Sequence, residues 1–121
     1  MSLARAEGIP ARFEIGFPLP AGAPDGVIPG YHCWSEFFVN GLGWVPVDIS
    51  EAWKDPSKHD YFFGSLDANR VQFTVGRDLI LQPRQDGPPL NFFVYPYVEV
   101  DGRPFDGAEK KFSFRELPAR G

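Results

Sequence analysis

One short stretch of the chain holds most of the side chains able to do chemistry: His32, Cys33, Glu36 and Asp48. A carboxylate that accepts a hydrogen bond from one imidazole nitrogen fixes the tautomer and favours the imidazolium form. It thereby readies the other nitrogen to take a proton from a nucleophile. A thiol is the natural nucleophile for such a base, because a nearby imidazolium lowers its pKa and holds it as thiolate. Cys33 is the one cysteine of the chain, which excludes an internal disulfide and a Cys-rich zinc site. With two histidines there is little for a metal cluster, and no dense carboxylate loop or EF-hand spacing asks for calcium. No metal and no cofactor are expected.

Whether these groups meet depends on the elements that carry them. Tyr31 to Val39 and Gly43 to Ile49 are aromatic and β-branched runs on either side of Asn40-Gly41-Leu42, the pattern of a β-hairpin. Alternation puts His32, Trp34, Glu36 and Phe38 on one face of the first strand and Cys33, Ser35 and Phe37 on the other. His32 and Cys33 are neighbours in sequence but point in opposite directions, so they make a poor catalytic pair. On the returning strand Trp44, Pro46 and Asp48 share a face. If Asn40-Gly41-Leu42 is a three-residue loop, Val39 pairs with Gly43 and Trp34 falls opposite Asp48. His32 is then one diagonal step from Asp48, about 7–8 Å between Cα atoms, which long side chains bridge. A loop one residue longer or shorter separates them. A purely structural His–Asp hydrogen bond accounts for such a pair as readily as catalysis does.

The rest of the chain reads as short strands cut by turns. It has 121 residues, one domain's worth, with 43% hydrophobic and 16% aromatic residues, enough for a core. The 13 Gly and 13 Pro are scattered without period, which argues against long helices and coiled coils. A net charge of −4 speaks against a nucleic-acid-binding face. No window is long and apolar enough for a membrane span, and no signal-peptide pattern opens the chain. Met1 to Glu7 reads as a short helix stopped by Gly8 and Pro10. Met1-Ser2-Leu3 is read as an expression remnant, and Ala4 onward as the tail of a longer helix. Ala11 to Leu19 is a strand. A loop rich in Pro and Gly runs to Pro29, either flanking a site or simply connecting. Ser50 is expected to cap a short helix through Trp53, broken by Asp55-Pro56-Ser57. Arg70 to Val75, Asp78 to Leu81, Asn91 to Val100 and Lys111 to Arg115 are the remaining strands, with Asp101-Gly102 a turn. The tail Leu117 to Gly121 is expected to fray.

Three ordered motifs carry a family resemblance: Gly8-Ile9-Pro10-Ala11-Arg12, then His32-x-Trp34-x-Glu36, then Gly43-Trp44-Val45-Pro46-Val47-Asp48. Together they resemble the second half of the transglutaminase-like catalytic core, of the papain-like superfamily. The resemblance is dense from Ala4 to about Ser50. It continues more loosely through Tyr61 to Gly64, Arg70 to Pro83 and Pro96 to Gly102. It implies an α+β fold, mostly antiparallel sheet, being the sheet half of that core with a remnant of the preceding helix. It implies one domain over residues 1–121, with the His and Asp motifs in 4–50 and a β-rich part in 51–121. By resemblance, His32 is the general base or acid and Asp48 its orienting partner. The family's nucleophilic cysteine maps onto no residue here. It is expected upstream, at the start of the helix whose tail is Ala4 to Glu7. The fragment is thus expected to be inactive by itself. The chemistry implied for the parent is thiolate attack on an amide, a thioester, and resolution by water or an amine. Its substrate would be a protein or peptide. Parents of this type are often bacterial and sometimes exported; the location of this one stays open.

Around the pair, Trp34 and Trp44 either shield a thioester or serve as core aromatics. Glu36 bonds either near His32 or, structurally, to backbone or an Arg, and Arg12 is a candidate partner for one of these acids. Cys33 is expected to be a small buried hydrophobe. His59 falls in a polar loop, Tyr61-Phe62-Phe63 and Phe92-Phe93 in the core or on a surface bared by truncation, and Arg77-Asp78 in a local salt bridge. Absence of the helix would bare apolar surface, so a homodimer or other self-association of the chain is expected. Two rival readings remain: a non-catalytic module of the same family used for binding or scaffolding, and an unrelated β-rich binding domain.

Overall fold

The computed structural model describes residues 1–118; of the tail, Ala119 to Gly121 lie outside the described residues. Its elements run α1 (Ser2–Ala6), β1 (Ala11–Pro18), β2 (Asp25–Ile28), β3 (His32–Val39), β4 (Gly43–Val47), α2 (Ile49–Lys54), a 3-10 turn (Pro56–Lys58), α3 (His59–Phe62), β5 (Arg70–Val75), β6 (Glu99–Val100), β7 (Arg103–Pro104) and β8 (Phe112–Arg115). The fold is α+β and mostly antiparallel sheet. A four-stranded sheet in the order β4-β3-β1-β5 dominates, with two-stranded ribbons β2-β8 and β6-β7 beside it.

The alternation of β1 explains both faces of this sheet. Phe13, Ile15 and Phe17 are apolar and point one way, whereas Arg12, Glu14 and Gly16 point the other. Ile15 and Phe17 are buried together with Val94, and Phe13, Ile28, Tyr95 and Phe112 pack against them. Burying side chains of this size contributes roughly 1.5–3 kcal/mol each, which anchors β1 as the central strand. Phe17 has the Phe73 ring edge-on at 5.0 Å and the tilted Phe112 ring at 4.6 Å. The β2-β8 ribbon therefore brings Ile28 and Phe112 to the core from opposite ends of the sequence.

The hairpin forms in the expected register. Val39 pairs with Gly43 and Ser35 with Val47 across the Asn40-Gly41-Leu42 loop. Gly41 and Gly43 have φ of 85° and 91°, left-handed values that side chains with a Cβ seldom adopt. Strand β3 then pairs with β1, placing Trp34 opposite Glu14 and His32 opposite Gly16.

Several expectations are corrected. The loop between β1 and β3 contains β2, which takes its ladder from β8. Asp78 to Leu81 forms no strand, and of Asn91 to Val100 only Glu99–Val100 does. Leu79 and Leu90 make an isolated bridge instead. The apolar run around Val94 is held by burial and by the Thr74 hydroxyl donating to the Phe93 carbonyl, not by a ladder. The cap of α2 is Asp48, whose Oδ1 accepts from the Glu51 N–H at 3.0 Å, rather than Ser50. His59 starts α3 and lies parallel to the Phe63 ring. Arg77 donates to Asn91 Oδ1, not to Asp78. Phe62 is buried, whereas Tyr61, Phe63 and Phe92 are exposed.

Candidate active site

His32 begins β3 and Asp48 follows β4, and the hairpin register brings them together across a separation of 16 residues. His32 Nε2 lies 2.6 Å from Asp48 Oδ2. The Asp48 side chain is fully buried and that of His32 is 16% exposed. A carboxylate only accepts, so Nε2 carries the proton and donates, leaving Nδ1 as the basic nitrogen of the neutral ring. Among the described residues Nδ1 makes no hydrogen bond.

Asp48 does three things with two oxygens. Oδ1 caps α2, and Oδ2 accepts from both His32 and Arg70 Nη1, the latter at 2.5 Å. Burial alone would raise its pKa. The hydrogen bonds from His32, the Glu51 N–H and Arg70 outweigh that and hold the carboxyl well below the usual carboxylate range. Asp48 is therefore an anion throughout the neutral range. Arg70, at the start of β5, also donates Nη2 to Asp67 Oδ2 at 2.8 Å, and these two carboxylates outweigh burial to keep its pKa above the ordinary arginine value. Sequence reading missed Arg70 as a site residue. Its only signal was its position at the head of a strand, and nothing local tied that strand to Asp48.

Trp34 sits beside the imidazole. The two rings are offset but nearly parallel, with centroids 6.2 Å apart, and the Arg70 guanidinium carbon is 5.4 Å from the indole. The indole N–H donates to Glu14 Oε2 at 2.7 Å. Trp34 is thus buried and adjacent to the pair. Glu36 and Trp44 are not: Glu36 accepts from Arg12 Nε at 2.6 Å, the structural alternative, and Arg12 lies over the Trp44 ring at 4.2 Å. Trp44 is exposed rather than a core aromatic. It sits on β4, the edge strand, where Arg12 and the Phe38 ring are its partners.

Cys33 is exposed, which corrects the expectation of a buried hydrophobe. It is opposite Ile15, on the face away from His32. Partial burial of the thiol, with the charge of Asp48, raises its pKa, the reverse of what a nucleophile needs.

His32, Asp48 and Glu51 could be taken for a metal cluster, since their ligand atoms lie within 4.8 Å of one another. The donor set fits a divalent cation poorly. Arg70 already occupies the Asp48 oxygen that faces His32, and Lys54 is 2.7 Å from Glu51 Oε1. An open cleft of about 790 Å³ lies beside the pair, walled by Tyr31, His32, Lys54, Tyr61, Asn69 and Arg70.

Residues 1–49 match the family model of the Transglutaminase-like superfamily, a span that holds both His32 and Asp48. The chain is 37% identical, over 147 aligned residues, to an uncharacterized protein of Haemophilus influenzae; the match covers 94% of this chain and 40% of that protein. The chain thus spans well under half the length of that curated relative. No solved structure matches it significantly.

Proposed function

We propose, on the premise that residues 1–49 are part of a transglutaminase-like domain, that this chain supplies the base and the orienting carboxylate of a Cys-His-Asp triad. The reaction class is cleavage or transfer of protein or peptide amide groups through a thioester. The single observation that carries this reading is the 2.6 Å bond between His32 Nε2 and a buried, anionic Asp48. That bond commits Nε2 and leaves Nδ1 to take a proton from a thiol. Arg70 shares Asp48 Oδ2 and so holds the carboxylate in place while His32 gains and loses its proton. Cys33 is not the thiol, since it faces away and its pKa is raised. The nucleophile in this reading comes from outside these 121 residues.

The second reading is a non-catalytic module of the same family, for binding or scaffolding. The observation on its side is that Asp48 also caps α2 and pairs with Arg70, so that conformational stability alone would retain it. One experiment separates the two. The full-length protein is assayed for ammonia release and hydroxamate formation from a glutamine-containing peptide. The catalytic reading expects activity that His32→Ala and Asp48→Asn abolish and Cys33→Ser leaves intact. Activity that survives His32→Ala, or none in the full-length protein, refutes it in favour of the module.

A further inference from the structure

Glu14 is a buried carboxyl that the triad does not use. It is 3% exposed and lies at the centre of β1, with Trp34 directly opposite on β3. Oε2 accepts the Trp34 indole N–H, whereas Oε1 is buried with no hydrogen-bond partner among the described residues. Arg12 Nε is 3.4 Å from that oxygen but donates to Glu36. A glutamate buried on the polar side of a sheet needs a reason, because leaving such an oxygen unsatisfied costs about 1–3 kcal/mol.

We propose that Glu14 is a positioning residue for His32, acting through the indole of Trp34; this rests on the assignment of His32 and Asp48 given above. The indole neighbours two groups that both bind Asp48 Oδ2. Its ring centroid is 6.2 Å from that of His32 and 5.4 Å from the Arg70 guanidinium carbon. An indole free to rotate would let either one shift. Glu14 pins its only polar atom, so the tilt of Trp34 limits the plane of the imidazole packed beside it. The row Glu14–Trp34–His32–Asp48 crosses strands β1, β3 and the end of β4, with Arg70 closing it from β5.

The groups facing Glu14 decide its proton. On its own strand there is Arg12; on β3 there are Glu36 and Trp34. Burial and the neighbouring Glu36 carboxyl push the Glu14 pKa up to about 7, against Trp34 and Arg12, which pull it down. The protonated carboxyl donates to Glu36 and so gives the orphaned oxygen its partner. Gain and loss of this proton alters the acceptor strength felt by the indole N–H, and through the indole the imidazole.

The test is an NMR titration of the chain over roughly pH 5.5 to 8.5, following the Trp34 indole N–H and the His32 ring nitrogens. The spectrum holds three indoles and two imidazoles. In the native protein the indole N–H is expected to step with the Glu14 proton near neutrality, and the His32 ring nitrogens to carry an added inflection at that same midpoint. Glu14→Gln keeps an acceptor for the indole but removes the proton, so the step disappears from the indole and its counterpart from His32. Should that variant fail to fold, Glu36→Gln removes the neighbouring charge and moves the shared step to lower pH. His32 signals that keep the same profile in these variants while the indole step moves or vanishes would overturn the proposal, leaving Glu14 a core residue without a hold on the imidazole. Asp48→Asn separates this from the underlying assignment. It should shift the His32 nitrogens whatever Glu14 does, and a null result there sinks the dyad itself.

Discussion

Replacing Glu14 by Gln should make stability depend differently on pH, by an amount that follows from its surroundings. In the unfolded chain the carboxyl titrates at about 4.5, and in the fold at about 7. Between these values the folded state keeps a proton that the unfolded state has released, so stability falls as pH rises through that window. Keeping one extra proton costs about 1.4 kcal/mol for every pH unit climbed, so crossing the whole window costs roughly 3 kcal/mol. Gln imitates the protonated form, with its carbonyl oxygen accepting from Trp34 and its amide facing Glu36, and it does not titrate. The variant is therefore expected to match the native chain near pH 4.5 and to exceed it by up to about 3 kcal/mol above pH 7. Urea denaturation followed by tryptophan fluorescence, in steps across roughly pH 4.5 to 8, measures both curves. Asp48 does not confuse the comparison. Its folded pKa is lowered, so its contribution is complete above the unfolded carboxylate value of about 4 and is lost only in more acid solution. Native and variant curves separated by a constant offset at all pH values would refute the reasoning, since burial of the ionised form would then not be what Glu14 costs.

Two further outcomes follow from the geometry. Arg70→Met leaves Asp48 and Asp67 without their shared guanidinium and should destabilise the chain by roughly 3–5 kcal/mol, the usual cost of stranding a buried charge, as read from a denaturant midpoint with unchanged slope. Gly16→Ala places a Cβ 1.9 Å from the Val71 carbonyl oxygen, which forces β5 away from β1 and carries Arg70 with it. A loss of roughly 1–3 kcal/mol is expected, together with a weakened contact to Asp48 visible as a change in the His32 resonances; a stability equal to the native chain's would show that β5 yields freely.

What could be read in advance was local. The hairpin follows from period-2 alternation and a three-residue loop holding Gly41, both properties of residues close in sequence. The loop then fixes a register, and a register is enough to set His32 against Asp48 and to turn Cys33 away. Arg12 is legible only as a candidate partner for one of the hairpin's acids; the β1–β3 pairing picks Glu36. Where local pattern misled, burial had a different source. Asn91 to Val100 carries strand-forming residues, yet Val94 is held by the core of β1, so no ladder forms there. Cys33 and Trp44 have apolar character but lie on the sheet's exposed positions, with partners that cover them only in part.

By itself, then, the amino-acid order of this protein determines a two-strand frame and the histidine–aspartate pair that the frame carries. It also determines the motifs in residues 1–49 that match the transglutaminase-like family model. Only the tertiary structure decides the ionic state of that pair. The strand order β4-β3-β1-β5 is not the sequence order. It brings Arg70 to Asp48 across 22 residues and Glu14 to Trp34 across 20. A charge placed in a low-dielectric site takes its protonation from whatever neighbours the fold assembles, and long-range strand pairing chooses those neighbours.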